Sequence, residues 1–335
     1  MEYRNLGNTG LKVSEISLGT WITFGGTISD EVAKDCVKAA FDCGINVIDT
    51  ADVYHTGKAE ITLAKILKDY KRSDYVLATK CFGTMGKTPN DKGLSRKHVI
   101  EACDASLQRM EVDYIDLYQC HRYDVTTPLE ETVRAMTDLI RSGKVHYWGV
   151  SQWSAVEIAN AVRIAERYNL EKPVSNQPIY NMLNRGLEVE VMGTCANEGL
   201  GLIVYSPLAQ GILTGKYKVN QTPEDSRGGS EGTKQLLAKR LTEENLAKVE
   251  ELSKIANELE ISMPQLALAW LLRAKPLSSV IIGASRPSQV TENAKASGVK
   301  LSQEVQDKIE EILGNAPVDQ YTGSPNGYGF EKKGF

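Results

Sequence analysis

The chain has 335 residues, of which 41% are hydrophobic and 24% are charged. This composition is typical of a folded globular protein with a large core, and it excludes general disorder. The formal net charge is -4, from 39 Lys and Arg residues against 43 Asp and Glu residues. Because no overall positive field exists, we expect no nucleic-acid partner.

The cysteines and the N-terminus indicate the cellular compartment. Six cysteines occur, at positions 36, 43, 81, 103, 120 and 195, without a CxxC pair or a metal-ligand spacing. We therefore predict reduced thiols, a cytoplasmic protein and no metal site. The opening MEYRNLGNTG has no apolar segment of a signal peptide, and no apolar run approaches the roughly 18 residues of a membrane-spanning helix. We expect neither secretion nor membrane insertion.

Eight short apolar segments recur along the chain, and each ends in a small or polar residue. They run continuously rather than in strict alternation, which is typical of strands that are covered on both faces of a parallel sheet. The predicted strands are residues 15–20, 45–50, 75–80, 114–121, 146–151, 173–177, 202–206 and 279–285.

Helical stretches with start and stop signals lie between these strands. Asp30 and Ser95 each precede such a stretch and are predicted N-caps, and Gly44 follows the first stretch at a predicted C-cap position. A strand followed by a helix, eight times over, predicts an α/β fold, the (β/α)8 TIM barrel. We interpret residues 1–335 as one domain.

Four segments depart from the strand–helix repeat. Residues 3–14 predict an N-terminal β-hairpin, with residues 8–10 as its turn, that closes the barrel floor. Residues 208–240 are long and irregular, so we predict a loop that clasps a ligand over the upper face. Residues 302–313 predict an extra C-terminal helix, and the Gly-rich residues 316–335 a flexible tail.

Candidate chemistry lies at the C-terminal ends of the predicted strands, where barrels of this type place their active sites. The polar residues at these ends are Asp49, Lys80, His121, Ser151, Gln177 and Ser206. Tyr54, five residues beyond Asp49, can reach the same space. We expect Lys80, held by Asp49, to lower the pKa of Tyr54, and His121 to orient a carbonyl oxygen. Taken singly, each residue has a structural alternative: an ion pair for Asp49 or Lys80, and a hydrogen-bonded core residue for His121.

These residues stand in motifs that resemble the aldo-keto reductase family. INVIDTADVY contains Asp49 and Tyr54, ATKCF contains Lys80, and YQCHR contains His121. Other segments, such as GTWITFGGTISDE and YSPLAQGILTGKY, are similar to the voltage-gated potassium channel beta-subunits and their microbial and plant reductase relatives. The resemblance runs from Tyr3 to about Asn315. It implies a catalytic tetrad of Asp49, Tyr54, Lys80 and His121.

The resemblance also implies that NADPH lies across the top of the barrel without a Rossmann GxGxxG fingerprint, which this chain lacks. The implied cofactor contacts are Thr20, Trp21, Asp49, Ser151, Gln152, Gln177, Tyr205, Ser206, Leu208, Gly211, Lys216, Arg227, Gly283, Ser285, Gln289, Glu292 and Asn293. Residues 285–288, SRPS, independently predict a helix start with Pro287 at its first position. Free amides and Arg286 there suit a 2′-phosphate, although an ordinary capped helix is the alternative.

Two functions follow from the resemblance. The first is reduction of small aldehydes or ketones in a pocket lined by Trp21, Tyr54, Phe82 and His121, with Trp153 as a further candidate; these aromatics are equally compatible with plain packing. The second is an NADPH-sensing subunit of a potassium channel. The channel beta-subunits carry Asn at the position of His121, Arg at that of Gln152 and Trp at that of Tyr205, so His121 favours catalysis. A homo-tetramer is suggested by these relatives, but monomers also occur in the family.

Overall fold

The computed structural model describes residues 1–218, 223, 228–229, 235–238 and 240–317. Eight parallel strands close into a barrel with helices between them, which confirms the predicted (β/α)8 fold. A separate two-stranded antiparallel hairpin precedes the barrel. The hairpin strands are β1 (Tyr3–Asn5) and β2 (Lys12–Ser14); the barrel strands are β3 (Ile16–Gly19), β4 (Val47–Asp49), β5 (Val76–Cys81), β6 (Ile115–Cys120), β7 (Val145–Val150), β8 (Ser175–Asn176), β9 (Gly201–Val204) and β10 (Leu277–Gly283).

Each predicted strand corresponds to one barrel strand, and β10 pairs with both β3 and β9 to close the ring. All six residues of β5 and of β6 are buried, as expected of strands covered on both faces. β8 has only two residues, shorter than predicted. Pro173 and Pro178 bracket it, and proline has no N–H to donate to a sheet.

Helices cover the outside of the barrel. They are α1 (Asp30–Asp42), α2 (Lys58–Leu67), α3 (Arg96–Met110), α4 (Leu129–Arg141), α5 (Ala155–Tyr168), α6 (Val191–Glu198), α7 (Gln235–Ala238), α8 (Glu243–Glu258), α9 (Met263–Leu272), α10 (Pro287–Ala294) and α11 (Gln303–Leu313). Ser95 caps α3 by accepting from the amide of His98, as predicted. The predicted cap Asp30 is wrong: Ser29 Oγ accepts from the amide of Val32, and Asp30 is the first helical residue.

The hairpin closes the N-terminal end of the barrel. Leu6 and Val13 are buried against a cluster of strand residues inside the barrel: Val47, Val76, Ala78, Leu117, Ile203 and Ile281. Gly7 permits this approach, because a Cβ there would lie 2.4 Å from the carbonyl oxygen of Gly199. The connection between the two strands spans residues 6–11, so it is longer than the predicted turn at residues 8–10.

The extra C-terminal helix, α11, is observed where predicted, with Ser302 as its N-cap. Glu310 on α11 pairs with Arg185 and with Arg273, and it accepts a hydrogen bond from the Trp270 indole. These contacts fasten α11 to the barrel wall. Residues 318–335 of the predicted tail lie outside the described residues, so its flexibility stays a prediction.

The predicted clasping loop is described only in part. After β9, residues Ala209–Thr214 form an irregular turn, and α7 follows further on. Arg227 lies outside the described residues. In the part of the chain that the structure describes, no helix is both long and apolar enough to cross a membrane.

Candidate active site

A buried ion pair lies at the C-terminal ends of β4 and β5. Lys80 is fully buried, and its Nζ lies 2.6 Å from Asp49 Oδ1. The same ammonium donates to the carbonyl oxygen of Thr50 at 2.7 Å. A buried charge is tolerated only when it is paired and hydrogen-bonded, and both conditions hold for this ammonium.

Tyr54 and His121 join this pair, so the structure brings all four residues of the predicted tetrad together. Tyr54 follows β4, and its hydroxyl accepts a hydrogen bond of 3.3 Å from Lys80 Nζ. His121 directly follows β6, and its ring meets that of Tyr54 edge-on with centroids 5.8 Å apart. A phenol, an ammonium and an imidazole thus share one partly buried space.

The pKa of Tyr54 differs from the sequence expectation. Burial raises it above the ordinary tyrosine value, and the attraction of Lys80 opposes this effect without reversing it. Lys80 does lower the pKa of Tyr54, as expected, but burial outweighs it, so the expectation of a net lowered pKa is wrong. The reason is that the phenolate loses its hydration on burial, while Asp49 counters the charge of Lys80. Tyr54 consequently keeps its proton at neutral pH, as a proton donor must.

The other two titrating groups have opposite shifts. Burial, Lys80 and Arg122 lower the pKa of His121 to about 2, so its imidazole is neutral. For Lys80, burial alone would lower the pKa, but Asp49 and Tyr54 outweigh burial and the pKa is raised. At neutral pH the site holds a permanent ammonium and a neutral imidazole.

Two glutamines complete the polar network inside the barrel. Asp49 Oδ2 accepts from Gln177 Nε2 at 2.7 Å and from Gln119 Nε2 at 3.4 Å. Gln119 was absent from the predicted residues. It stands two positions before His121, so the two-residue period of a strand places both on the same face, a signal that the sequence does contain.

Further predicted residues lie along the rim formed by β7, β8 and β9. Ser151 Oγ donates to the carbonyl oxygen of Gln177 at 2.9 Å, and the Gln152 amide bonds to the hydroxyl of Tyr205. Ser206 Oγ accepts from Gln210 Nε2 at 2.6 Å, and its carbonyl oxygen accepts from Asn181 Nδ2 at 3.0 Å. Neither Gln210 nor Asn181 was predicted from the sequence.

Among the described non-glycine residues with left-handed φ, Glu111, Asn169 and Glu260 follow helices α3, α5 and α8, and seven others lie on this C-terminal rim. These seven are Ile22, His55, Thr56, Gln152, Ser206, Ala209 and Gln210, with φ between 47° and 71°. Such conformations are costly and persist where the surrounding structure enforces them, often at functional sites. These strained residues lie on the same C-terminal face of the barrel as the polar network.

The predicted cofactor contacts Gly283, Ser285 and Gln289 lie at the end of β10 and the start of α10. Gly283 pairs with Gly19, which in turn pairs with Asp49, so the end of β10 lies two strands from the ion pair. α10 begins at Pro287 as predicted, with no side-chain cap at Arg286. Gln289 Oε1 accepts from the amide of Ser285 at 2.8 Å.

The remaining predicted cofactor residues have varied surroundings. Lys216 is exposed, with its Nζ 5.3 Å from the ring centroid of Tyr217. Glu292 contacts Gln265 and pairs with Lys295, whereas Asn293 is buried. Leu208 and Gly211 are partly exposed on the turn after β9, and Thr20 is buried beside Thr50.

The aromatic residues of the predicted pocket differ in exposure. Trp21 is 40% exposed, and Phe82 is partly buried against the core. Trp153 is buried and packs edge-on against Tyr123, with ring centroids 5.0 Å apart. Its surroundings favour the packing interpretation, whereas the four predicted pocket residues, Trp21, Tyr54, Phe82 and His121, are each at least partly exposed.

The fold and the site define a (β/α)8 barrel with its polar site at the C-terminal face, where barrel enzymes carry out their chemistry. The sequence model of the Aldo/keto reductase family matches residues 15–314, and the chain belongs to this family. Two curated plant relatives are each 45% identical over 322 residues, covering 95% of this chain and 98% of their own lengths. Each is described as a probable voltage-gated potassium channel subunit beta, one from Oryza sativa subsp. japonica and one from Arabidopsis thaliana.

Proposed function

We propose that the protein reduces aldehydes or ketones to alcohols with NADPH, and that Tyr54 is the proton donor. One observation carries the proposal: the buried Lys80 ammonium lies 2.6 Å from Asp49 and 3.3 Å from the Tyr54 hydroxyl. Membership of a family of oxidoreductases supports it. The finer assignment of residues rests on the geometry of this site.

The residues on the rim suit NADPH. The amides at the start of α10 have no side-chain cap, and a helix N-terminus with free amides binds phosphate groups. Lys216 adds an exposed positive charge, and Arg227 is a further proposed contact. Ser151, Gln152 and Gln177 would hold the carboxamide, and Tyr205 would stack on the nicotinamide. When bound, NADPH supplies the hydride that reduces the carbonyl carbon.

The chain's own residues then supply the proton and stabilise the charges that form. Tyr54 donates its proton to the carbonyl oxygen as negative charge develops there. Lys80 stabilises the phenolate that Tyr54 becomes, and Asp49 holds Lys80 in place. Neutral His121 donates a hydrogen bond to the same oxygen, which orients the carbonyl and stabilises its charge. Burial strengthens each of these interactions relative to water.

A panel of aldehydes and ketones tests the proposal. Purified protein is mixed with each compound and NADPH, and the fall in NADPH absorbance is followed. We expect turnover with at least one class of carbonyl compound and accumulation of the matching alcohol. Failure of every compound to exceed the rate without protein would contradict the proposed activity.

Cofactor preference is a separate prediction. We expect tighter binding of NADPH than of NADH, because Lys216, Arg227 and the start of α10 offer positive potential to the extra phosphate. Quenching of tryptophan fluorescence by each cofactor gives the two dissociation constants. Arg227→Ala and Lys216→Ala should each weaken NADPH more than NADH, whereas Lys218→Ala, a nearby exposed lysine, should change neither. Equal affinities of the unmodified protein for the two cofactors would refute this assignment.

A second function is a cofactor-sensing subunit of a potassium channel with vestigial turnover. The descriptions of the two plant relatives favour it. Under this function we propose a channel partner and a homo-tetramer for this chain. Under either function we propose a cytoplasmic protein, since all six cysteines are free thiols.

His121→Asn separates the two functions. If His121 supports catalysis, the variant should lose kcat/KM while NADPH affinity stays close to normal. The loss should stay below the roughly 2.7 to 4 kcal/mol that removal of a whole oxyanion donor costs, because an amide still donates a hydrogen bond. Steady-state kinetics with one reactive aldehyde measures the difference. A sensor with vestigial turnover predicts instead equal and very slow rates for both proteins.

A further inference from the structure

The connection between β3 and α1, residues 20–29, crosses the C-terminal face beside the candidate site; we term it the Trp21 loop. Its base is fixed to the strand that carries Asp49. The amide of Thr20 donates to the carbonyl oxygen of Asp49 at 3.0 Å, and Thr20 Oγ1 donates to Thr50 Oγ1 at 2.9 Å. Trp21 therefore stands at the mouth of the site, where it is 40% exposed.

Beyond Trp21 the loop adopts a strained conformation. Ile22 has φ 71°, a region that a β-branched side chain rarely occupies. A conformation of this kind persists only where neighbouring groups enforce it. The contacts of Ile22 therefore indicate what holds the loop.

His55, the residue after Tyr54, makes such a contact. Its Nε2 lies 3.0 Å from the carbonyl oxygen of Ile22, and because a carbonyl only accepts, Nε2 carries the hydrogen. The ring also lies against Gly26, where a Cβ would come within 2.1 Å of Nε2. The exposed imidazole of the residue that follows the proposed proton donor thus contacts the loop that carries Trp21.

A second close contact supports the first. A Cβ at Gly25 would lie 2.7 Å from the carbonyl carbon of Lys58, so the loop and the start of α2 approach each other at backbone distance. Glycines at positions 25 and 26 allow this approach, and the hydrogen bond from His55 fixes the position of the loop relative to the start of α2. The Ile22 carbonyl oxygen also accepts from the amide and the hydroxyl of Thr27, each at 3.2 Å, so displacing the ring would remove the contact between this carbonyl and the segment after Tyr54 while the contacts inside the loop stay.

We propose that His55 is a positioning residue for substrate specificity: by holding the Ile22 carbonyl it fixes Trp21 as one wall of the carbonyl pocket. This role rests on the proposed reductase function. A bulky aromatic aldehyde would pack against the fixed indole, whereas a small aldehyde would react at Tyr54 without reaching it. His55 takes no part in proton transfer.

Tryptophan fluorescence tests the positioning without any turnover. Trp148, Trp153 and Trp270 are buried, so quenching by acrylamide reports mainly Trp21, and Trp21→Phe identifies its share. His55→Ala should raise the Trp21 quenching constant, up to a ceiling of about 2.5-fold if the exposed fraction goes from 40% to full. His55→Gln, whose amide can still donate to the Ile22 carbonyl, should stay closer to the unmodified protein. An unchanged constant in His55→Ala would overturn the proposal.

A kinetic comparison tests the specificity. For His55→Ala, kcat/KM for a naphthaldehyde should fall on the order of tenfold, mainly through KM, as expected when one apolar wall is lost. For propanal it should change by less than about twofold. Equal losses for both aldehydes would overturn the specificity role, because they would mean that His55 acts through Tyr54 or through the proposed cofactor contact of Trp21. If the unmodified protein reduces neither aldehyde, the proposed function fails, and the specificity role fails with it even if quenching supports the positioning.

A glycine variant gives a second test of the same contact that does not depend on the folding of His55→Ala. Gly26→Ala places a methyl group where the His55 ring lies, so it should raise Trp21 quenching in the same direction. Gly10→Ala is the matched control, since a Cβ there meets nothing within 4 Å. The same response in both glycine variants would contradict a specific role of His55.

Discussion

Tyr54→Phe is expected to lower kcat/KM for aldehyde reduction by about 10²- to 10⁴-fold, the contribution of one positioned acid. The substitution removes only the hydroxyl that accepts the Lys80 hydrogen bond, so the fold and the NADPH affinity should be nearly intact. NADPH oxidation gives the rate, and fluorescence quenching gives the affinity. A variant with near-native turnover would mean that another group delivers the proton.

Two controls sharpen this test. Tyr70→Phe removes the same hydroxyl beside Phe41, away from the site, and should leave kcat/KM unchanged. The pH profile is the second control. The raised pKa of Tyr54 keeps the donor protonated through neutral pH, so the rate should fall only as the pH rises through that pKa. Tyr54→Phe should lose this high-pH fall.

Lys80→Met should abolish turnover and destabilise the fold by about 3 to 5 kcal/mol, the usual cost of breaking a buried ion pair. Lys80 is fully buried and its partner Asp49 nearly so, and the variant leaves that carboxylate without its ammonium. Urea denaturation followed by circular dichroism measures the free energy of unfolding. Unchanged stability would show that Asp49 is stabilised by Gln177 and Gln119 alone.

The matched comparison is a double variant. Asp49→Asn with Lys80→Met removes both charges, so it should recover part of the stability while turnover stays lost. Lys38→Met is the surface control, because the Lys38–Asp42 pair is exposed at both ends. We expect its unfolding midpoint to match that of the unmodified protein.

The fold was largely readable from the sequence because its signals are local. Continuous apolar runs with a polar residue at the end gave the eight strands, and the strand ends gave Asp49, Lys80 and His121. Local sequence rules predicted less well where two adjacent residues both suit the same structural role. Ser29 and Asp30 both suit an N-cap, and only the backbone conformation assigns the role to Ser29.

The sequence was least informative where opposing effects balance in three dimensions. The sign of the Tyr54 pKa shift depends on how far burial outweighs Lys80, which no motif encodes. The contact between His55 and Ile22 joins residues 33 positions apart through a strained backbone, so no periodicity predicts it. Gln119 is different, because strand alternation with His121 would have identified it.

Single-turnover oxidation of bound NADPH by a reactive nitrobenzaldehyde tests directly whether the residues around Lys80 carry out the reduction. Protein in excess over NADPH is mixed rapidly with the aldehyde, and loss of NADPH absorbance and formation of the alcohol are followed together. We predict one alcohol per NADPH oxidised, a rate reduced by about 10²-fold or more in Tyr54→Phe, and a smaller reduction in His121→Asn. Equal slow rates in all three proteins would contradict this prediction, because the rate would then not depend on the residues around Lys80.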